Sequence, residues 1–333
     1  MRRRDLLAVI GAATIAGPIA VRAQQQTQHR IAFVHSGFPA DELTETKGPA
    51  WVRRFLMEVR RLGHVEGSNL TIERYSAEGD HDRYVGLAAE VVSRRPDVIV
   101  ANLNFLVAEL QNATRTIPIV GIVADPVRLG MIESLARPGG NLTGVSVDAG
   151  LEIFGKRLEI LKEMLPAAQR IAYLAARAAW EGAGGQELRA RARDLSLAVT
   201  WLSPGRADAA ELRRVFSELG HDRPDALLVS ASGDFLAHRR LIAELAEAAR
   251  IPTLYPFRDF VELGGLIAYA PDTAEFAERL AQQVHEVLGG APPGEIPFYQ
   301  ASRLELVINA RTAKALGLTI GPLLFARADE VIE

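Results

Sequence analysis

The chain has 333 residues, of which 48% are hydrophobic, 24% charged and 6% aromatic, and its formal net charge is −3. At ~150 residues per domain, this length predicts about two globular domains, and the composition excludes disordered, collagen-like and coiled-coil chains. Cysteine is absent, which excludes disulfides, thiolate metal sites and a lipidated N-terminal cysteine. The chain lacks the excess of basic residues that would indicate nucleic-acid binding.

Residues 1–23 have the pattern of a secretory signal peptide. Three arginines, Arg2 to Arg4, precede an uncharged apolar stretch from Leu6 to Ala20. The following Val21-Arg22-Ala23 has small residues at the two positions that signal peptidase recognises. The apolar stretch is shorter than the ~20 residues of a membrane-spanning helix. The pair Arg3-Arg4 favours the twin-arginine route over the general secretory route. We expect cleavage after Ala23 and a periplasmic mature protein.

Apolar strands and amphipathic helices alternate along the rest of the chain. The predicted strands are 30–36, 70–75, 97–100, 117–123, 142–147, 170–174, 198–202, 226–229, 251–255, 265–269 and 304–308. The predicted helices are 49–62, 81–94, 104–114, 152–164, 183–195, 208–219, 235–249 and 273–288. This pattern predicts an α/β fold with parallel sheets covered on both faces. Eleven strands are too many for one small doubly wound unit, so we expect two similar units.

Sequence motifs for catalysis and for cofactor binding are absent. No G-x-G-x-x-G follows a strand, and the chain has no Walker A motif, G-x-S-x-G elbow or H-E-x-x-H pair. None of the seven histidines lies three or four residues from another. We therefore expect no enzyme activity, no cofactor and no metal site.

Several stretches together resemble one protein family over essentially the whole chain. Besides the leader, they are Gly63-His64-Val65-Glu66-Gly67-Ser68-Asn69-Leu70, Thr116-Ile117-Pro118-Ile119-Val120, Asp125-Pro126-Val127-Arg128-Leu129-Gly130, residues 135–145, residues 257–266 and residues 305–318. The run from Arg137 to Val145 and the closing run are the most specific. The sequence resembles the ABC-transporter substrate-binding family, which has the type I periplasmic-binding fold and includes binders of aromatic amino acids.

The resemblance implies two Rossmann-like, doubly wound lobes with parallel sheets, joined by three crossovers near Ser146, Ala270 and Ser302. Lobe 1 would be residues 30–146 plus 271–300, and lobe 2 residues 147–270 plus 301–333. The lobes would close on a small polar or aromatic, amino-acid-like ligand. The closed protein, a monomer, would reach the membrane only by docking on an ABC permease that works with an ATPase.

Two other functions stay open at this point. The chain is alternatively a periplasmic ligand-sensing module for a signalling partner, which genes for a neighbouring kinase would favour. A two-lobed periplasmic enzyme is a further alternative, but it needs a nucleophile and base that the sequence does not indicate.

Ligands of such sheets bind beyond the carboxyl ends of strands, and four polar residues of the first unit are candidates there. The Ser36 hydroxyl suits a carboxylate, although a serine in a turn has the same pattern. Asn102 and Asn104, which replace the family's usual Gly/Thr-rich loop, suit a ligand or an Asx turn. Asp125 suits a ligand ammonium or the N-cap of a following helix.

Six further candidates lie in the second unit. Trp180 suits stacking on a flat ligand, with a surface position as its alternative. Asp234 is a ligand partner or a helix cap, and Arg258 binds a carboxylate or pairs with Asp259 or Glu262. The remaining three candidates are Ser232, Tyr255 and Tyr269; core packing is the alternative for Tyr269.

Overall fold

The computed structural model describes residues 28–205, 208–219 and 223–333, so the predicted signal peptide lies outside the described residues. The chain first forms β1 (His29–His35), α1 (Ala50–Arg61), β2 (Leu70–Ser76), α2 (Tyr84–Ser93), β3 (Val98–Asn102), α3 (Asn104–Ala113), β4 (Ile119–Val123) and β5 (Leu142–Ser146). It continues with α4 (Glu152–Met164), β6 (Arg170–Leu174), α5 (Arg177–Glu181), α6 (Ala183–Asp194), β7 (Ala198–Leu202), α7 (Ala209–Glu218), β8 (Ala226–Val229), α8 (Gly233–Ala237), α9 (Arg239–Ala248), β9 (Thr253–Tyr255), α10 (Arg258–Val261) and β10 (Ile267–Pro271). It ends with α11 (Thr273–Leu288), β11 (Tyr299–Gln300), β12 (Leu304–Asn309), α12 (Ala310–Ala315), α13 (Pro322–Arg327) and β13 (Glu330–Ile332).

The strands form two separate sheets. The first has the order β11-β5-β4-β3-β1-β2 and the second the order β13-β12-β10-β9-β8-β6-β7. All neighbouring strands are parallel except β10 and β12, which are antiparallel. We call each sheet with the helices packed on it a lobe. The predicted α/β class with two doubly wound units is thus confirmed.

The chain passes between the two sheets three times. It leaves the first sheet after β5, returns after β10, and crosses again between β11 and β12. Because β12 enters the second sheet from the side of the first lobe, it runs opposite to β10. These are the three crossovers of the predicted fold.

The first lobe is completed by a segment that follows most of the second lobe in sequence. Helix α1 buries Trp51 and Phe55, and it packs against α11, where the rings of Trp51 and Phe276 lie 6.0 Å apart. Asp272 caps α11 by accepting hydrogen bonds from the backbone N–H groups of Ala274 and Glu275. Residues distant in sequence therefore share one core.

The predicted helix 235–249 is wrong as a single element, because the structure divides it into α8 and α9 at His238. Helix α8 begins earlier, after Ser232, whose hydroxyl accepts a hydrogen bond from the Phe235 N–H at 3.1 Å. The helix predicted for 81–94 starts as a 3₁₀ turn, and its α-helical part begins at Tyr84. The sequence analysis missed six short elements: α5, α10, β11, α12, α13 and β13. Within the part of the chain that the structure describes, no helix is both long and apolar enough to cross a membrane.

Candidate functional site

The carboxyl ends of the first sheet meet those of the second at a contact between glycines. A Cβ atom added to Gly37 would lie 3.0 Å from the Gly233 carbonyl oxygen, and one added to Gly79 would lie 2.4 Å from Ala237 Cβ. Side chains at these positions would hold the loops apart. We call this region the closing contact: residues 36–42, 79–84 and 103 of the first lobe against residues 233–239 of the second.

Gly233 occupies the centre of the closing contact. A Cβ atom at this position would lie 3.0 Å from Leu103 Cδ2, 3.2 Å from the Tyr84 hydroxyl oxygen and 3.3 Å from Ser36 Oγ. The absence of a side chain lets the start of α8 sit directly on the first lobe. The structure therefore has the two lobes closed along this edge.

Ser36 and Asn102 join two strand ends beneath Gly233. The Ser36 N–H donates to Asn102 Oδ1 at 2.9 Å, and Asn102 Nδ2 donates to Ser36 Oγ at 3.1 Å. Ser36 is almost fully buried. The pair fixes the loops after β1 and β3, which carry the first-lobe side of the closing contact.

Buried or half-buried polar groups surround the start of α8. His81 Nε2 lies 3.1 Å from Asp234 Oδ1, across the two lobes. Burial raises the pKa of Asp234 above its ordinary value, against the attraction of His81 and His238. The Tyr84 hydroxyl is buried without a hydrogen-bond partner, and burial, with the nearby Asp234 charge, raises its pKa. Ser232, not Asp234, is the side chain that caps α8.

Two further side chains organise the loop after β1. Nδ1 of His35 accepts hydrogen bonds from the N–H groups of Gly37 and Phe38 at 2.9 and 3.0 Å. Complete burial lowers the pKa of His35 to about 3, so its ring is neutral at physiological pH. Arg239 of the second lobe lies 3.4 Å above the Phe38 ring and pairs with Glu42 at 3.5 Å.

Asn104 and Asp125 lie beside the closing contact, at the ends of β3 and β4. Asn104 accepts from the Ala124 N–H at 2.7 Å and donates to the Ala124 carbonyl at 3.0 Å. Asp125 adopts a left-handed backbone with φ of 46° and pairs with Arg128. No helix follows Asp125 directly among the described residues, so the helix-cap alternative for it is wrong.

The structure places two aromatic candidates outside the closing contact. One face of Trp180 stacks on Trp201 at 5.7 Å between ring centres, and the Arg189 guanidinium lies 4.2 Å from the Trp180 ring centre. Tyr255 is almost fully buried and stacks on Phe260 at 4.8 Å. Both residues have packing roles here, and their ligand-binding roles stay predictions.

Arg258 is held by three carboxylates. It contacts Glu262 at 3.1 Å, Glu305 at 2.9 Å and Glu330 at 2.6 Å. Burial raises the pKa of Glu305 to about 7, although the Arg258 charge lowers it. The guanidinium is therefore already neutralised within the second lobe, and a ligand carboxylate would compete with these partners.

Tyr269, the last candidate, is half-buried in the middle of β10, and its carbonyl accepts hydrogen bonds from Arg157. The sequence analysis missed Arg157, His81 and Tyr84. Arg157 fits the ordinary pattern of polar positions along α4, and no short sequence motif identifies His81 or Tyr84. Among the described residues, no group of three or more His, Asp or Glu is placed to hold a metal ion.

The fold and the facing strand ends define a two-lobed solute-binding architecture, and the comparisons with known proteins agree. A family model described as ABC transporter substrate binding protein matches residues 55–332. The chain therefore belongs to the ABC transporter substrate-binding protein family, as the sequence resemblance indicated. It is a solute-binding component that captures a small ligand, and proteins of this family work with ABC permease and ATPase components. Members of this family are binding proteins and not enzymes.

Individual relatives agree with this assignment. The chain is similar to a tyrosine-binding protein of Clostridioides difficile, with 26% identity over 287 residues that cover 83% of this chain and 80% of the relative. A conserved domain protein of Vibrio cholerae has 25% identity and a TM-score of 0.78, and the match covers 92% of this chain and 100% of that one. An ABC domain of Streptococcus pneumoniae in complex with L-Trp has 21% identity, the same TM-score and the same coverage, and it supports the fold.

Proposed function

We propose that the protein captures a small, amino-acid-like solute in the periplasm between its two lobes and delivers it, as a monomer without catalytic activity, to an ABC permease. The observation that carries this proposal is the closing contact, in which Gly233 of the second lobe lies against Ser36, Tyr84 and Leu103 of the first. A glycine contact of this kind allows two lobes to meet without a side chain between them.

The proposed lobes are residues 30–146 plus 271–300 and residues 147–270 plus 301–333. Supporting this division, β1 to β5 and β11 form one sheet, and β6 to β10, β12 and β13 form the other. Ligand binding would shift the population from an open to a closed arrangement, since only the closed state contacts the ligand from both sides.

The proposed ligand class rests on two proteins to which the chain is similar, a tyrosine-binding protein and an ABC domain in complex with L-Trp. Partly exposed side chains at the strand ends supply suitable surfaces: Asn104 and Asp125 are polar, and Phe257 and Tyr269 are aromatic. We propose that the ligand lies among these residues, with Ser36 and Asp234 acting at the closing contact and Asn102 and Ser232 directly beside it. For export we propose a twin-arginine signal, residues 1–23, cleaved after Ala23.

A thermal-shift screen of the refolded, ligand-free protein tests the function. The solutes are amino acids, aromatic acids, sugars, nucleosides and dipeptides. A ligand at 100 times its Kd stabilises the native state by ~2.7 kcal/mol, which is readily measured. Stabilisation by one class of solute, with the solute recovered unchanged, supports a binding protein. Conversion of the solute contradicts the absence of catalysis, and a response to no class contradicts the proposed ligand.

A further inference from the structure

Arg157 is a buried arginine whose hydrogen-bond partners are backbone carbonyls. It projects from α4, and only 6% of the residue is exposed. Its Nε and Nη2 donate to the Tyr269 carbonyl at 3.0 and 2.8 Å, and Nη2 also lies 3.5 Å from the Pro256 carbonyl. These two carbonyls belong to β10 and to the residue that follows β9, so the guanidinium lies at the carboxyl end of the second sheet.

The positive charge of Arg157 has no carboxylate partner in the described chain. The groups that act on its charge are the phenols of Tyr173 and Tyr269, and burial lowers its pKa to about 10. Arg157 therefore remains protonated at neutral pH. By contrast, Arg258 has three carboxylates and Arg239 has Glu42. Burying a cation without an anion costs free energy. Arg157 therefore differs from the other two arginines, and an anion from outside the described chain would offset this cost.

Part of the Arg157 guanidinium is free to bind such a partner. Nη1 forms no hydrogen bond to any described residue. It is not fully buried either, so it retains contact with solvent. Phe257 and Tyr269, both partly exposed, adjoin the two carbonyls that hold the guanidinium. The surroundings thus combine an unpaired cation with aromatic surface.

We propose that the transported solute carries a carboxylate and that Nη1 of Arg157 binds it at the carboxyl end of the second sheet, between the two lobes. This inference rests on the proposed function, and it assigns the ligand's anionic group to the second lobe. The carbonyls of Tyr269 and Pro256 hold the guanidinium in place, so that its free edge is fixed before the ligand arrives. Nη1 still has its N–H groups to donate, and a hydrogen bond from a guanidinium to a carboxylate is charge-assisted and therefore stronger than one between neutral groups.

Matched pairs of acids and amides test this assignment by isothermal titration calorimetry. The probes are L-tyrosine and L-tyrosinamide, L-tryptophan and L-tryptophanamide, and phenylacetate and phenylacetamide, with glucose and adenosine as neutral solutes. For the wild-type protein we expect at least one acid to bind about 30-fold or more tightly than its amide, as removal of one partner of a buried charge pair predicts. For Arg157→Gln we expect the same pair to differ by less than about threefold.

The control variant is Lys156→Gln, which removes an equal charge from the neighbouring position of α4, where Lys156 pairs with Glu159. It should keep the wild-type preference for the acid. If Arg157→Gln does not fold, Arg157→Lys replaces it, and a partly retained preference for the acid supports the proposal. An undiminished preference in either folded variant overturns the proposal.

Two outcomes separate this inference from the proposed function. Equal binding of acid and amide by the wild-type protein, or tight binding of glucose or adenosine alone, overturns the carboxylate assignment and leaves a solute-binding protein. Binding of none of the probes by the wild-type protein, together with a thermal screen without any response, overturns the proposed function and this inference with it.

Discussion

Nε2 of His81 and Oδ1 of Asp234 lie 3.1 Å apart, although the two residues belong to different lobes. This contact is made only when the closing contact is made, and it is an ion pair only with a protonated His81. The His81 side chain is half exposed and that of Asp234 is mostly buried, so water screens the interaction in part. The pair therefore adjusts the balance between open and closed states and does not dominate it.

Replacing Asp234 with Asn should weaken ligand binding by up to about fivefold. The substitution removes the Asp234 charge from the interlobe contact with His81, and partly exposed pairs contribute ~0.2–1 kcal/mol when both members are charged. Ser232 remains to cap α8, so the fold should persist. Titration with the solute identified by the thermal screen measures the effect, and Asp82→Asn, an exposed neighbour of His81, is the control. Equal loss in both variants would contradict a specific role for the pair.

Replacing Gly233 with Val should keep the lobes open. The added atoms would meet Leu103, Tyr84 and Ser36, whose nearest atoms lie 3.0–3.3 Å from a Cβ at this position. Because affinity falls with the fraction of closed protein, we expect binding about tenfold weaker or more. Small-angle scattering should show a larger radius of gyration with ligand present. Gly86→Val, at a position with open space around it, is the control; a compact Gly233→Val protein with normal affinity would refute the prediction.

His35 should make the protein less stable in acid. Its pKa is about 3 in the folded state, well below the ordinary value of 6.5, so the unfolded chain takes up the proton first. Its contribution is complete above pH 6.5 and declines as the pH falls towards 3, with a loss of about 3 kcal/mol at pH 4. In His35→Asn, which retains an acceptor for the Gly37 and Phe38 N–H groups, the free energy of unfolding should depend less on pH. Denaturant unfolding from pH 4 to 8 measures this, and parallel curves for the two proteins would exclude His35 as the cause.

Glu305→Gln should stabilise the protein at alkaline pH. The folded-state pKa of Glu305 is raised to about 7 from an ordinary 4.5, so its ionised form is disfavoured in the native state. Wild-type stability should therefore increase as the pH falls from 7 to 4.5, and the variant should lack this increase. We expect a gain on the order of 1 kcal/mol at pH 8 and none at pH 5. Glu330→Gln, which removes the exposed partner of Arg258, should give no such pH-dependent gain.

The proposed export route predicts that Arg3→Lys combined with Arg4→Lys retains the precursor in the cytoplasm. The twin-arginine pathway reads the arginine pair itself, so a conservative change of both residues suffices. Cell fractionation and intact mass measurement give the location and the cleavage point. Arg2→Lys is the control, and normal export of the double variant would favour the general secretory route.

The fold was largely predictable because its strands are apolar along their whole length. The five residues of β4, Ile119–Val123, are all buried, and such runs mark central parallel strands without any knowledge of the tertiary structure. The division between α8 and α9 was not predictable from periodicity. It depends on the local backbone at His238 and on the Ser232 cap, which a search for apolar spacing does not detect.

The candidate site was less predictable, since its contacts join distant parts of the chain. Ser36 and Asn102 were predicted as separate candidates, but their mutual hydrogen bonds follow from the adjacency of β1 and β3 in the sheet. Arg157 resembles any charged residue of an amphipathic helix, and only the packing of α4 against the second sheet buries it. Arg258 differs from Arg157 in having acidic partners. The sequence indicated Asp259 or Glu262 for this role, whereas the fold pairs Arg258 with three carboxylates.

The late position of α11 and β11 in the sequence has a consequence for synthesis on the ribosome. All five strands of β1–β5 emerge before residue 147, but the partner of Trp51, Phe276, emerges much later. At ~5–20 residues per second, the interval lasts roughly 6–25 seconds. During that time the nascent first lobe exposes the apolar face that α11 will cover, so aggregation competes with folding before the chain is complete.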